Sequence, residues 1–315
     1  MAAIPTCDRP ALAQKRLVNV LRTHVIATAR TLEQKISDAG PFDQRIHPHV
    51  LTPARNKLIR DGTIRLRPST RCPWYHLADS ASEDVDRRLT EQKSVHDRMC
   101  ENQFTARLGQ TLEVAVFKAL QSQTEITFFG GFPDLHEHDD STPYKKIEPP
   151  EFVSGKPVDG GIFDFLLTAK DAGPAGLEAK NVREWLYPDR EEVKDLLAKC
   201  CSVDAIPVLV ARRIPFATFK VLHPCGVIMH ETFNQLFPAS EAGLARKAAD
   251  KRLLGYHDIR IGNEPDGRLL TFITKNLPKL LVSARAVFED SCHLLAAYGS
   301  GAISYPEFAK RVKDK

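Results

Sequence analysis

Two carboxylates and one lysine in the middle of the chain have the types and spacing of a catalytic group. Asp164 interrupts the apolar run IFDFLLT at residues 162–168, where burying a charge without a partner is costly. Glu178 and Lys180 are two residues apart in the segment GLEAKN, so they share one face of an extended strand. If the two segments form a hairpin, Asp164 and Glu178 converge at one end of it with Lys180 beside them.

This arrangement predicts phosphodiester hydrolysis with a bound metal ion. Carboxylate oxygens suit a hard ion such as Mg²⁺ or Mn²⁺, and Mg²⁺ binds through few carboxylates, keeps several waters and bridges to phosphate. Such an ion lowers the pKa of a bound water, and a nearby ammonium orients the nucleophile or stabilises charge on the phosphoryl oxygens. The structural alternative is that Asp164 and Lys180 form an ion pair and that Glu178 is a solvated edge residue.

Hydrophobic periodicity predicts the elements that position these residues. A helix over 103–121 places Glu113 at the margin of an apolar stripe. The polar, proline-rich stretch 133–158 is predicted to be an excursion from the core. The further elements expected are strands at 162–168 and 176–181, a helix at 189–201, buried strands at 206–211 and 226–230, and covering helices at 240–254 and 277–297.

The order of these motifs resembles the PD-(D/E)XK nuclease superfamily over roughly residues 100 to 240. The resemblance implies an α/β (α+β) fold of the restriction-endonuclease-like type, a mixed sheet flanked by helices. It also implies that Asp164 and Glu178 are metal ligands, that Lys180 is the catalytic lysine, and that Glu113 is an accessory acid. Phe163 stands where the family's name has proline, which removes no functional group.

The N-terminal quarter of the chain is strongly basic. Residues 1–78 carry 13 lysines and arginines against five acids, a net charge of +8. The whole chain carries +4, which leaves −4 for the rest. Charge of opposite sign in two blocks predicts two modules with different partners, the basic one suited to a polyanion.

Helix and strand signals in the basic block predict a small winged-helix domain. Helices are expected over 15–29, over 31–39 before the stop signal Gly40-Pro41, and from Thr52 to about residue 60, followed by a ribbon at 63–67 and 74–77. A helix fits the major groove of DNA, and basic side chains reach phosphates or base edges. The predicted nucleic-acid-binding residues are Arg55, Asn56, Lys57, Arg60, Arg65, Arg67 and Arg71. The alternative is a solvated helical domain that docks another protein.

Length and composition place the chain among soluble globular proteins. The 315 residues allow two domains, which we predict as 1–80 (winged helix), 81–100 (acidic linker) and 101–315 (nuclease-like). No apolar run is long enough to span a bilayer, and residues 1–10 do not resemble a secretory signal. The seven cysteines are odd in number and never spaced as C-x-x-C, which predicts reduced thiols and a cytoplasmic location.

Together these patterns predict a metal-dependent nuclease that hydrolyses phosphodiester bonds in DNA and is positioned by its winged helix. The alternative, from another functional class, is a DNA-binding or scaffolding protein whose nuclease-like core has no turnover. DNA is the expected partner and Mg²⁺ or Mn²⁺ the expected cofactor. One active site cuts one strand at a time, so double-strand cleavage would indicate a homodimer; a larger defence or repair complex is the other assembly expected.

Overall fold

A computed structural model describes residues 8–39 and 45–315. The N-terminal segment up to residue 7 and the Gly40-Pro41 stop signal therefore lie outside the described residues. The chain forms two compact units, one from Met1–Thr105 with Ala242–Ile259 and one from Ala106–Glu241 with Arg260–Lys315. The predicted domain boundaries near residues 80 and 100 stay a prediction, because the division into compact units does not test which segments fold independently.

The first unit combines short helices with a three-stranded antiparallel sheet. Its elements before residue 100 are α1 Arg9–His24, β1 Ile26–Thr28, α2 Ala29–Ile36, α3 Pro48–Arg60, β2 Ile64–Arg67, β3 Trp74–Leu77 and α4 Ser82–Met99. The strand order is β1-β3-β2, so the predicted ribbon is present as β2 and β3. The unpredicted strand β1 pairs Ala27 with Tyr75. At three residues β1 is too short to show a period of two.

Two predicted helix boundaries in this unit are wrong. The helix predicted over 15–29 is α1, which begins at Arg9 and ends at His24, and residues Ile26–Thr28, predicted to belong to it, form β1. Helix α3 begins at Pro48 rather than near Thr52, and Pro53 lies inside it. Proline suits the first turn of a helix because its missing N–H would have no intrahelical partner there, and Pro48 meets that condition five residues earlier. Residues 82–99, part of the predicted linker, form helix α4, which buries Val85, Gln92 and Val95.

The second unit is built around a mixed five-stranded sheet. The elements from residue 102 onward are α5 Asn102–Gln121, β4 Ile126–Phe129, β5 Phe152–Val153, β6 Lys156–Pro157, β7 Phe165–Ala169, β8 Gly173–Lys180, α6 Glu191–Ser202, β9 Ile206–Ala211, α7 Phe216–Leu222, β10 Ile228–Glu231, β11 Gln235–Phe237, α8 Ala242–Ala249 of the first unit, β12 Ile259–Ile261, α9 Gly267–Thr271, α10 Leu277–Gly299 and α11 Tyr305–Lys313. No helix in the described ranges has both the length and the apolar character needed to span a membrane.

The sheet order is β10-β9-β8-β7-β4. Strands β8, β9 and β10 run parallel, whereas β7 is antiparallel to both β8 and β4. The predicted strand 206–211 is confirmed as β9, and all six of its residues are buried, as expected for a parallel strand with a neighbour on each side. Helices α6 and α10 pack against each other and against the sheet. The fold is therefore mixed α/β, as expected.

Phe163 and Gly176 make a close contact beside the candidate site. Phe163 is 1% exposed, and a Cβ placed on Gly176 would lie 2.3 Å from its ring. We expect Gly176→Ala to lower the free energy of unfolding by about 1–3 kcal/mol, the usual cost of overpacking a core. Gly109→Ala in α5 is the matched control. It meets no atom within 4 Å and should stabilise the helix by about 0.5–1 kcal/mol. Denaturant unfolding measures both, and equal effects of the two substitutions would contradict the packing argument.

Candidate active site

The hairpin of β7 and β8 brings the two predicted metal ligands to the same end of the sheet. Phe165 pairs with Leu177 in antiparallel register, and Asp164 and Glu178 are the next residues beyond that pair. Asp164 lies one residue before β7 begins, and its carboxylate contacts β8 through the Ala179 amide. Lys180, two residues after Glu178 on β8, shares the face of Glu178 and donates a hydrogen bond to its Oε2 at 2.5 Å. The hairpin therefore brings the three residues to the same end, as predicted.

Glu178 is a buried carboxylate held by two lysines. It is 3% exposed, with Lys180 on Oε2 and Lys199 Nζ on Oε1 at 2.8 Å. Burial alone would lower the pKa of Lys180, but the carboxylates of Glu178 and Asp164 outweigh it and raise that pKa above its ordinary value. The Lys180 side chain therefore keeps its positive charge across the neutral range. The structural alternative of a solvated Glu178 is wrong.

Asp164 is held by a backbone amide and by a third lysine. Its Oδ2 accepts a hydrogen bond from the Ala179 amide at 2.8 Å, which fixes the carboxylate against β8. Its Oδ1 lies 3.0 Å from Lys146 Nζ. The same Nζ lies 2.9 Å from Glu113 Oε2, so Asp164 and Glu113 share one ammonium group. Asp164 is thus paired with Lys146, and the expected alternative of an ion pair with Lys180 is not what the structure contains.

The environment of Glu113 changes its acidity. Burial, and then the neighbouring charge of Asp164, raise the pKa of Glu113 to about 7, against the lowering influence of Lys146. Near neutral pH the side chain is consequently divided between its protonated and ionised forms. A carboxyl group with such a pKa is suited to proton transfer at physiological pH.

The raised pKa of Glu113 predicts a pH dependence of stability in metal-free buffer. Between about pH 4.5 and pH 7 the folded state holds a proton that the unfolded state has lost, so stability should fall as the pH rises through this window. Glu113→Gln should flatten that fall, because glutamine does not titrate. Urea unfolding in EDTA at pH 5 and pH 7.5 measures it, with the exposed acid Glu125 as the control position (Glu125→Gln). An unchanged slope in Glu113→Gln would contradict the assigned environment.

Lys146 and Lys199 complete the site, and neither was predicted. Lys146 belongs to the stretch 133–158, predicted to be an excursion, whose residues Asp140, Tyr144 and Val153 are in fact buried. It carries no periodic signal. Lys199 lies on α6 next to the buried Cys200 and three residues after the buried Leu196. The position of Lys199 at the margin of the apolar stripe of α6 was the one local indication that its side chain points toward the core.

The carboxylate oxygens of the site can be compared with the ligands that the metal ion implied by the resemblance prefers. Glu113 and Asp164 offer hard oxygen donors that already converge on one positive charge, the Nζ of Lys146. These oxygens fit Mg²⁺ or Mn²⁺ chemically, and binding there requires Lys146 to withdraw. Glu178 offers oxygens that are each bonded to an ammonium group. Within residues 8–39 and 45–315, no group of three His, Cys, Asp or Glu side chains is assembled to hold an ion.

Asn181, directly after the Glu-x-Lys motif, has a structural role. Its Nδ2 donates hydrogen bonds to the carbonyls of Leu108 at 2.5 Å and Leu236 at 2.7 Å. Its Oδ1 accepts one from the Leu236 amide at 3.0 Å. With the side chain 3% exposed, Asn181 ties the end of β8 to α5 and β11.

The predicted nucleic-acid-binding residues lie on α3, on β2 and in the loop after β2. Several already have partners within the first unit. Lys57 pairs with Asp61 at 3.2 Å, and Arg67 pairs with Asp86. The Arg55 guanidinium lies 4.8 Å from the Tyr75 ring centroid, and Arg71 Nη1 donates to the Cys100 carbonyl at 3.0 Å.

The remaining predicted residues of this group are Asn56, Arg60 and Arg65, and all three are exposed. Neither Arg60 nor Arg65 forms an ion pair with any residue that the structure describes. These two arginines are therefore the cations of this surface with the least intramolecular competition for a phosphate group.

Comparison with known proteins does not indicate a function for this chain, so its function is inferred from its own residues. The resemblance to the PD-(D/E)XK superfamily depends on the order of Glu113, Asp164, Glu178 and Lys180 in the sequence. The chain matches no protein-family model, and comparison with curated proteins and with solved structures gives no significant match.

Proposed function

We propose that this protein is a metal-dependent nuclease that hydrolyses phosphodiester bonds in DNA, with Mg²⁺ or Mn²⁺ as its cofactor. The observation that carries the proposal is the end of the β7–β8 hairpin, where Asp164 accepts a hydrogen bond from the Ala179 amide, between Glu178 and Lys180, and Lys180 donates to Glu178. The order of the five-stranded sheet and the helix carrying Glu113 are consistent with a restriction-endonuclease-like core. A cytoplasmic location accompanies this proposal, as the cysteine pattern indicates.

Each side chain has a definite part in the proposed chemistry. Asp164, with Glu113 or Glu178, would hold the divalent ion, which when bound activates water and neutralises charge on the phosphate. Lys180 stays protonated beside two carboxylates, so it stabilises developing negative charge rather than removing a proton. The Ala179 amide orients Asp164, and Lys199 orients Glu178.

DNA contact is assigned to the first unit. The order α1-β1-α2-α3-β2-β3, with β1 added beside β3, is typical of a winged helix. In that fold the third helix and the ribbon approach the duplex, which are the elements that carry Arg60 and Arg65. The net charge of +8 over residues 1–78 favours a polyanion at this surface.

Replacing Arg60 and Arg65 together by alanine should weaken DNA binding and reduce its dependence on salt. Each lost phosphate contact lowers the slope of log K against log salt by about 0.9 for duplex DNA. Lys57→Ala is the matched control and should change the slope less, because Asp61 already neutralises Lys57. Fluorescence anisotropy at several salt concentrations measures the slopes. An unchanged slope in the double variant would remove these arginines from the interface.

The experiment that tests the proposed activity is a cleavage assay of the full chain. Single-stranded, duplex and branched DNA and RNA of matched length are incubated with Mg²⁺, with Mn²⁺ or with EDTA. The proposal expects cleavage of at least one DNA form that depends on the ion and is lost in Lys180→Met. Activity that persists in EDTA, or that Lys180→Met retains, would count against it.

A second function is favoured by the charge balance of the site. Glu113, Asp164 and Glu178 are matched by Lys146, Lys180 and Lys199, so the group carries no excess negative charge without an ion. Such a core suits a DNA-binding or scaffolding protein without turnover, working as a homodimer or in a larger defence or repair complex. Salt-dependent DNA binding with no cleavage under any of the ions above is the result that this alternative expects.

A further inference from the structure

We propose that the first unit contains a binding site for a nucleotide-sized organic phosphate, in a basic cavity formed by α1, α2, α4 and the segment after α8. This site is separate from the carboxylate group of the second unit. Its existence does not depend on the proposed nuclease activity, because every residue that lines it belongs to the first unit.

The cavity has the size and lining of a ligand site. Its volume is about 750 Å³, within the range of roughly 300–1,000 Å³ for small-molecule pockets. The basic residues that line it are His24, Lys35, Arg88, Lys251, Arg252 and His257. Among the described residues that line it there is no Asp or Glu. Val20 and Ala39 supply apolar surface.

The charges of the lining act on one another. Burial, followed by the positive charges of Lys35 and Arg88, lowers the pKa of His24 to about 4. Burial also lowers the pKa of Lys35 to about 8, with Arg88 and Lys251 adding to the effect and Asp250 opposing it. His24 is therefore neutral at physiological pH, and the positive charge of the lining comes from its lysines and arginines, which favour an anion there.

Two of these cations are oriented by the backbone. Lys35 Nζ donates to the Lys251 carbonyl at 3.0 Å, and Arg88 Nη2 donates to the Arg252 carbonyl at 2.9 Å. Glu91 pairs with Arg88 Nη1 at 2.6 Å and so neutralises part of that charge. Lys251 and Arg252 are exposed, and the lining as a whole keeps an excess of positive charge.

A buried amide gives an independent sign of a ligand. Gln34 lines the cavity and is 1% exposed. Its Nε2 donates a hydrogen bond to His257 Nδ1 at 3.1 Å, whereas its Oε1 has no hydrogen-bond partner among the described residues. A buried acceptor without a donor destabilises the free protein, and a ligand hydroxyl or amino group would satisfy it.

These features together define the chemical class of the ligand. The ammonium and guanidinium groups select a phosphate, which they bind by charge-assisted hydrogen bonds. The Gln34 Oε1 selects a hydrogen-bond donor elsewhere on the same molecule, and the cavity volume has room for a mononucleotide. The phosphate has two possible sources, a free nucleotide and the 5′ end of a nucleic acid.

Calorimetric titration of the full chain with AMP tests the site. We expect saturable binding at one site per chain, weakened at least tenfold in Lys35→Met and in Lys251→Met. Lys15→Met, an exposed lysine of α1 outside the cavity, should bind AMP as the unmodified chain does. Asp164→Asn should also bind AMP normally, which separates this site from the proposed nuclease site. Because Lys251 is exposed, its replacement tests the site without disturbing the core.

Further ligands distinguish the two sources of the phosphate. Adenosine, which lacks the phosphate, should bind at least tenfold more weakly than AMP. A 5′-phosphorylated dinucleotide that binds with the same Lys35 dependence identifies a nucleic-acid end, whereas binding of AMP alone identifies a free nucleotide. The proposal is overturned if neither phosphorylated ligand binds, or if both bind Lys35→Met and Lys251→Met as tightly as the unmodified chain.

Discussion

Asp164→Asn should abolish divalent-dependent cleavage of DNA while leaving DNA affinity within about twofold. The Asp164 carboxylate shares the Lys146 ammonium with Glu113, and asparagine keeps its shape while removing the charge that would hold the ion. A bound ion contributes several kcal/mol to such a reaction, and each 1.36 kcal/mol is tenfold in rate. The cleavage rate should therefore fall by at least about 10³-fold.

The structure supplies a matched control for this substitution. Asp171 lies at the opposite end of the same hairpin, in the exposed turn between β7 and β8, and Asp171→Asn should cleave like the unmodified chain. Rates are measured at saturating Mn²⁺, and affinity by anisotropy in EDTA. The assignment is refuted if Asp164→Asn and Lys180→Met both retain full cleavage.

Lys146→Met should destabilise the metal-free protein and increase its response to a divalent ion. Lys146 neutralises Asp164 and Glu113 together, and removal of one partner of a buried pair costs about 3–5 kcal/mol. Protonation of Glu113 offsets part of this loss, so we expect about 3 kcal/mol at neutral pH. The two carboxylates, left without their ammonium, should then bind Mn²⁺ more tightly than in the unmodified chain.

Thermal unfolding with Mn²⁺ and with EDTA measures both effects without requiring any activity. The rise in Tm on adding Mn²⁺ should be several degrees larger in Lys146→Met than in the unmodified chain. Lys145→Met, the exposed neighbour, should match the unmodified chain in both buffers. If Lys146→Met has unchanged stability and no added response to Mn²⁺, then Lys146 does not occupy a position that a cation can take.

The two results together separate the two candidate functions. A nuclease should lose cleavage in Asp164→Asn and should bind Mn²⁺ even with Lys146 present. A scaffold whose carboxylates are neutralised by lysines should show no cleavage, and should acquire Mn²⁺ binding only in Lys146→Met.

Local pattern predicted the two strands of the hairpin and the strand next to them, but β7 begins three residues later and β8 three residues earlier than the pattern indicates. The period of two placed Glu178 and Lys180 on one face, and the apolar run IPVLVA identified β9, because both signals lie within a few neighbouring residues. The amphipathic stripe of α5 likewise placed Glu113 at an apolar margin. Short elements such as β1 were not predicted, since three residues show no period.

The pairing of charges, in contrast, was decided only by the tertiary structure. Lys146 and Lys199 come from a proline-rich stretch and from α6, at sequence distances that no local pattern spans, yet their ammonium groups lie on Asp164 and Glu178. The physical reason is that a buried carboxylate must find a counter-charge, whereas nothing in its immediate sequence specifies which cation will supply it. Residue types and spacing thus establish which groups lie at the end of the hairpin, and long-range packing selects the lysines that neutralise them.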